Sequence, residues 1–339
     1  EVKQEGMHHE EKRKSGGSPG HAGHGWVGVA GCGGDTKQAG KDKTCNVGIL
    51  QLVEHPALDA ANKGFVDGLK SKGFEEGKNI KFDRQNAQGD QSNLQTIAQR
   101  FVSNKVNLVC AIATPAAQTM ANVTRDIPIV GTAITDYKEA KLVKDPEKPG
   151  TNVTGTTDMN PIDKQLDLLL KIVPKARTIG ILYNSSEINS QIQVKKMKEL
   201  AEAKGLTVRE ATVSSVNDIQ QSAQSLVGQV DAIYVPTDNV IASAMPVLAK
   251  ITNPAKIPVI CGEEGVVKSG ALATIGIDYY KLGYQTGLMA AKILKGEAKP
   301  QTMPIEKQKD MKVTVNEATA KALGLTLPED VLKGASIVK

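Results

Sequence analysis

The chain has 339 residues, and at roughly 100–200 residues per domain that length suits two lobes better than one. Hydrophobic residues make up 40% and charged residues 23%, enough for real cores, and no apolar run approaches the roughly 18 residues needed to span a bilayer, which argues against a membrane-embedded channel. With 42 basic and 37 acidic side chains the net charge is +5, too mild for a nucleic-acid footprint, and four cysteines are too few for a disulfide scaffold. Aromatic residues are only 3%, so any core must be built from Ala, Val, Ile and Leu.

Residues 1–44 are rich in Gly, His, Lys and Glu and show no hydrophobic periodicity, so they read as a disordered leader or tether. Within them, Val29-Ala30-Gly31-Cys32 followed by Gly-Gly-Asp resembles a bacterial lipoprotein cleavage box, in which the Cys32 thiol would carry the lipid. A basic patch (Lys12, Arg13, Lys14) lies upstream, but residues 15–28 are Gly-, His- and Ser-rich where such a leader has an apolar segment of about 7–15 residues. The other reading is a Gly-rich leader with no lipid site.

From Cys45 the texture changes to short apolar runs alternating with amphipathic segments, the pattern of βαβ units and parallel sheets. The first unit opens on Val47-Gly48-Ile49-Leu50 and its helix ends near Gly73. Its echo opens on Ile179-Gly180-Ile181-Leu182 and ends near Gly205. Gly48 and Gly180 are 132 residues apart, as are Gly73 and Gly205. Residues 107–113 (NLVCAIA) pair with 231–235 (DAIYV), and Ile127-Pro-Ile-Val with Ile257-Pro-Val-Ile. Asp90 or Ser92 would cap a helix over 92–104, and Asn217 or Asp218 one over 218–228. Gly73 and Gly205 stand where a left-handed cap ends a helix. The expected fold is therefore α/β, two doubly wound parallel-sheet lobes from a duplicated unit.

Residues 146–155 (PEKPGTNVTG) read as the first connection between lobes, with further crossings near 274–278 and 303–311 and a long helix over 279–295. This assigns 45–155 plus 277–307 to the first lobe and 156–276 plus 308–339 to the second, joined by a three-segment hinge. In open α/β sheets ligands bind beyond the carboxyl ends of the strands, so two facing lobes enclose one cleft that closes by hinge motion.

The loops at those strand ends supply Glu54, His55, Thr114, Pro115, Ala116, Thr135 and Asp136 from the first half. The second half supplies Asn184, Ser185, Glu187, Asn189, Thr237, Asp238, Asn239 and Glu264, with Asp278 at the second crossing. This chemistry suits a small zwitterion. Thr114, Thr135 and Ser185 can donate to a carboxylate beside helix N-termini, and Asp238, Asp136 or Glu264 can hold an ammonium. The same residue types also serve as caps and turn formers. No Arg in the set argues against a phosphate, and the shortage of rings argues against a sugar. His55 is the only histidine after the leader, so with no CxxC a zinc site is not expected, and no cofactor is called for.

The stretches Glu54-His55-Pro56-Ala57-Leu58-Asp59, Asn86-Ala87-Gln88-Gly89-Asp90, Ala113-Thr114-Pro115-Ala116-Ala117-Gln118, Tyr183-Asn184-Ser185-Ser186-Glu187 and Tyr234-Val235-Pro236-Thr237-Asp238-Asn239 carry a resemblance over nearly all of residues 45–339. The chain resembles the tryptophan/tyrosine-type substrate-binding proteins of ABC transporters, of type I periplasmic-binding-protein fold. That resemblance implies a monomeric extracytoplasmic lipoprotein, anchored through Cys32, that delivers a small solute, an aromatic amino acid in particular, to a permease and ATPase. It implies neither catalysis nor a nucleic-acid partner. Two alternatives share the architecture. A cofactor-independent racemase needs a cysteine from each half, yet the counterpart of Cys110, 124 residues on, is Tyr234, and Cys261 ends a strand elsewhere. The ligand-sensing core of a regulator needs a helix-turn-helix headpiece, and residues 1–44 show no such pattern. Trp26 is the only tryptophan, so a ligand ring would rest mainly on aliphatic and backbone surface.

Overall fold

Each half of the chain lays its Val/Ile/Ala runs into one sheet. The computed structural model describes residues 44–339. The leader, with the lipid site expected at Cys32, lies outside the described residues. The first half runs β1 (Cys45–Gln51), α1 (Pro56–Ser71), β2 (Ile80–Asn86), α2 (Gln91–Ser103), β3 (Leu108–Ile112), α3 (Thr114–Val123), β4 (Ile129–Ile134) and β5 (Val153–Thr157). The second runs α4 (Ile162–Ile172), β6 (Thr178–Asn184), α5 (Ile188–Ala203), β7 (Thr207–Val213), α6 (Ile219–Leu226), β8 (Ala232–Val235), α7 (Asn239–Ser243), α8 (Met245–Thr252), β9 (Val259–Cys261), α9 (Glu264–Lys268) and β10 (Ala273–Gly276). The chain then adds α10 (Tyr279–Leu294), β11 (Glu306–Lys307), β12 (Lys312–Asn316), α11 (Glu317–Leu323), α12 (Glu329–Leu332) and β13 (Ser336–Val338).

The strands order as β11-β5-β4-β3-β1-β2 in one sheet and β13-β12-β10-β9-β8-β6-β7 in the other. The parallel order 5-4-3-1-2 of the first is repeated as 10-9-8-6-7 in the second, as the internal duplication requires. Strand order reverses between β1 and β3 and again between β6 and β8, and at such switch points the loops diverge and leave a crevice. One pairing departs from the parallel pattern: β12 runs antiparallel to β10, with Gly276 opposite Lys312, and β13 runs alongside β12 in the same reversed sense. The chain leaves the second sheet at the carboxyl end of β10 and re-enters at that same end after visiting the first sheet, so its next strand must run back.

Alternation along the strands sorts the second core onto two faces. Ile179, Ile181 and Tyr234 pack with Leu166 and Met197 on one side, and Leu182, Ile233 and Val235 with Ile241 and Leu248 on the other. Every residue of β3 and β4 is buried, which explains why those runs are continuously apolar. Asp90 caps α2 by accepting from the Asn93 N–H at 2.8 Å, and Gly73 and Gly205 take φ of +90° and +78° just past α1 and α5.

The long helix α10 belongs with the first sheet through a crossing on α1 made by glycines. A methyl group on Gly283 would lie 1.9 Å from the Ala61 carbonyl oxygen, and one on Gly64 2.0 Å from that of Tyr280. Backbone therefore meets backbone, and the crossing sets Tyr279, the first residue of α10, against the space between the lobes.

Candidate functional site

The two switch points face each other across an inner cavity. From the first lobe and hinge it is lined by His55, Leu58, Ala133, Thr135, Asp158 and Tyr279, and from the second lobe by Asn189, Thr237, Asp238, Asn239, Ala242 and Glu263. In this arrangement the cavity is a sliver of about 10 Å³. Beside it opens an outer cleft of about 800 Å³, walled by Leu52, Val53, Gln88, Pro115, Gln118, Arg125 and Leu142 on one side and by Asn184, Glu187, Ser215, Val216, Asn239 and Val240 on the other. Asn239 lines both.

The backbone is bent to aim these groups. Ala113, preceding α3, holds φ +84°, and Ala133 holds φ +56° inside a register shift of β4 between Gly131 and Ile134. Conformations of this kind cost about 1–3 kcal/mol for a residue with a Cβ and collect where ligands bind. Three helices end on the cleft without a side-chain cap: α1, α3 and α5. At α3 the Thr114 hydroxyl, 1% exposed, is among the buried polar atoms without a partner.

Across the lobes His55 Nε2 meets Asn239 Oδ1 at 3.3 Å, and the Thr135 and Thr237 hydroxyls approach to 3.4 Å. The Gln193 side chain ties both threonines together by donating to each hydroxyl. Within the second lobe Glu187 accepts from Asn184 at 3.3 Å, Asn189 at 2.9 Å and Asn239 at 2.6 Å. Burial, reinforced by the charge of Asp238, pushes the Glu187 carboxyl up to about 7. Burial likewise raises Glu263 to about 7 and lowers His55 to about 4, so the imidazole is neutral at physiological pH. Asp158 is also raised by burial, although hydroxyls of Tyr279 and Thr135 beside it pull the other way.

Of the residues expected at the site, the inner cavity brings together His55, Thr135, Asn189, Thr237, Asp238 and Asn239, while Pro115, Asn184 and Glu187 wall the outer cleft. Ala116 is buried in the first turn of α3 beside Thr114. Five lie elsewhere. Glu54 is exposed in a groove on the first lobe with Lys63 and Arg84. Ser185 is exposed and its carbonyl accepts from Gln191. Asp278 caps α10 by accepting from the Lys281 N–H at 3.1 Å.

The three carboxylates expected to hold an ammonium, Asp238, Asp136 and Glu264, each have partners within the protein. Asp136 accepts from the backbone of Lys138 and Glu139 in its own turn. Glu264 pairs with Lys268 along α9. Asp238 faces the cavity, but its Oδ1 accepts from the Ile241 N–H (3.0 Å) and its Oδ2 from the Asn184 N–H (2.6 Å) and the Ser190 hydroxyl (2.7 Å). It pins the two switch-point loops together.

Sequence reasoning missed Asp158, Gln193 and Tyr279, and of the strand-end pair Glu263-Glu264 it chose Glu264. Glu263 sits beside the residue chosen, and its cap geometry, accepting from the Gly265 and Val266 N–H groups, was the available signal. Asp158 follows a strand whose Thr-rich end resembles a connection, and nothing in a helical pattern says that Tyr279 aims at a cleft.

Comparison with known proteins agrees with this geometry. The family model described as ABC transporter substrate binding protein matches residues 46–339. A protein named tyrosine-binding protein from Clostridioides difficile (strain R20291) is 48% identical over 291 residues, covering 86% of this chain and 84% of its own. A domain from Streptococcus pneumonia solved in complex with L-Trp is 43% identical, with a TM-score of 0.84 over 88% of this chain and 100% of its own. The ligand-free, open structure of a substrate binding protein with adhesive properties from Clostridium difficile is 50% identical, yet its TM-score is only 0.67 over 87% of this chain and 99% of its own. The more identical protein, in its open form, is thus the poorer overall superposition of the two. With its duplicated α/β lobes of type I periplasmic-binding-protein fold, the chain belongs to the ABC transporter substrate-binding protein family.

Proposed function

We propose that this chain captures an aromatic amino acid between its lobes and presents it, in the closed form, to the permease and ATPase of an importer. One observation carries the reading: the space between the lobes is bordered by a buried donor without a partner at the start of α3 and by buried acceptors without partners in the inner cavity. The Thr114 hydroxyl and the uncapped N–H groups opening α3 suit a carboxylate, where a helix N-terminus contributes about half a positive charge. The acceptors of the inner cavity suit an ammonium. The ring then has the outer cleft, whose Leu52, Val53, Leu142 and Val216 provide aliphatic surface. Relatives bearing the tyrosine-binding name or solved with L-Trp support this choice of side chain.

Closure exchanges solvent for the contacts His55–Asn239 and Thr135–Thr237, and a ligand that bridges the walls adds its own bonds to the closed state alone. Binding without turnover is the role this geometry supports. Cys110 and Cys261 are buried in strands with their thiols pushed up by burial, and neither lines the cavity, which disfavours two-cysteine racemisation. Among the described residues no helix is long and apolar enough to cross a membrane. We place the protein on the extracytoplasmic side as a monomer, with a lipid at Cys32 as its tether and with lobes comprising 45–155 plus 277–307 and 156–276 plus 308–339.

The test is a thermal-shift panel of the twenty amino acids followed by calorimetry. A ligand at 100 times its Kd adds about 2.7 kcal/mol to the native state. Selective stabilisation by tyrosine, tryptophan or phenylalanine is expected. A panel in which none of the three shifts the melting temperature would reject the proposal.

A further inference from the structure

Three buried atoms on residues lining the inner cavity have no hydrogen-bond partner among the described residues: His55 Nδ1, Asp158 Oδ1 and Asn189 Oδ1. Their residues are 7%, 3% and 3% exposed. The bonds at the far end of each side chain establish that all three are acceptors. Asn189 Nδ2 donates to Glu187 Oε2 and to the Thr237 carbonyl, which leaves its Oδ1 as the acceptor without a partner. Asn239 Nδ2 donates to Glu187, so its Oδ1 faces His55 Nε2 and must receive a hydrogen from it. That selects the tautomer: Nε2 carries the proton and Nδ1 presents a lone pair. The Tyr279 phenol donates to Asp158 Oδ2 at 2.7 Å, leaving Oδ1. The Thr135 hydroxyl stands near that carboxylate but makes no hydrogen bond with Oδ1.

Each buried acceptor left without a donor costs about 1–3 kcal/mol, so three around one space call for a group carrying several donors. A water brings two hydrogens. A primary ammonium brings three, together with a positive charge. The space of about 10 Å³ is that of a single water-sized group. The neutral imidazole does not repel a cation, no Lys or Arg lines this cavity among the described residues, and Asp238 and Glu263 add acidic wall.

We infer that His55 Nδ1, Asp158 Oδ1 and Asn189 Oδ1 form an ammonium cage that takes the three N–H bonds of a primary α-amine, one each, and so selects primary amino acids against N-alkylated and deaminated analogues. This rests on the amino-acid reading above and specifies which atoms enforce it. Asp158 supplies the charge, while His55 and Asn189 supply direction.

Calorimetry on the full chain with L-tyrosine, N-methyl-tyrosine and deamino-tyrosine tests the cage, with Asp158→Asn as the variant and circular dichroism melting as its folding control. For the wild type, N-methylation is expected to weaken binding at least about 10-fold by stranding one acceptor. Loss of the amine should weaken it at least about 100-fold. Asp158→Asn should weaken tyrosine about 100-fold and deamino-tyrosine hardly at all, since the variant removes only the partner of the amine. N-methyl-tyrosine binding as tightly as tyrosine, or a variant that weakens both ligands equally, overturns the cage, and the first result needs no variant to fold. Should the wild type bind no aromatic amino acid, the functional reading falls separately. The cage is then judged with the remaining amino acids, tyramine and phenethylamine: a primary amine whose binding Asp158→Asn abolishes upholds it, and failure of every primary amine to bind removes it.

Discussion

Replacing Asp238 by alanine is expected to damage the fold as well as any binding. The carboxylate caps α7 through the Ile241 N–H and holds the Asn184 N–H and the Ser190 hydroxyl, joining the loop after β8 to the loop after β6. Loss of a helix cap costs about 1 kcal/mol. Two further buried donors left without an acceptor cost about 1–3 kcal/mol each. Against this stands relief, because burial raises the Asp238 pKa and its charge helps to raise that of Glu187, so removing it unburdens both. The balance is a loss of about 3 kcal/mol. For a chain of this size that corresponds to a fall of roughly 4–5 °C in Tm. Urea denaturation followed by far-ultraviolet circular dichroism measures it directly, and Asp238→Asn, which retains one oxygen for the cap, should fall between the two. A stability change below about 1 kcal/mol with ligand affinity abolished would refute the reasoning, since Asp238 would then serve the ligand and not the loops.

Gly283→Ala places a methyl 1.9 Å from the Ala61 carbonyl, a clash with backbone that only separation of α1 and α10 relieves. The helix-propensity gain of about 1 kcal/mol should be outweighed, for a net loss of about 2 kcal/mol in denaturant titration; a neutral or stabilised variant contradicts the crossing. Stability of the ligand-free protein should fall as pH rises from about 4.5 to about 7. Glu187 and Glu263, both raised to about 7, keep protons when folded that the unfolded chain has already lost. His55, lowered to about 4, works the other way between about 4 and 6.5, against the two glutamates and the burial-raised Asp158 and Asp238. Thermal melts should thus show greater stability at pH 5.5 than at pH 8, by about 2 kcal/mol, with Glu263→Gln removing part of the slope; stability that climbs steadily to pH 8 speaks against these burials.

Much of the architecture was legible in advance because it depends on period and spacing. Repeated apolar runs with Gly73 and Gly205 at matching offsets establish two doubly wound lobes, since strands covered on both faces must be apolar throughout and helices must stop where a residue tolerates positive φ. The antiparallel turn of β12 was not legible, because no local pattern says at which end a strand enters its sheet. Strand-end loops were equally legible as a set. Within them, though, chemistry depends on which way a side chain points and on who has already claimed its oxygens. Glu263 and Glu264 are alike as letters, yet one is buried capping α9 and the other pairs with Lys268 along its own helix.

The shortage of aromatic residues made small aliphatic cores inevitable, and the few rings acquire their roles only in three dimensions. Tyr279 reaches Asp158 because four glycines let α10 lie against α1, a contact between segments some 220 residues apart in the chain. The sequence by itself determined the periodicity, the duplication and the stock of polar groups at the strand ends, all of which are local properties of composition and order. Only the tertiary structure decided which of those groups retain an unclaimed lone pair, because hydrogen-bond partners are assigned by packing among distant segments. His55, Asp158 and Asn189 come from three separate stretches of chain and share one cavity only after the lobes close.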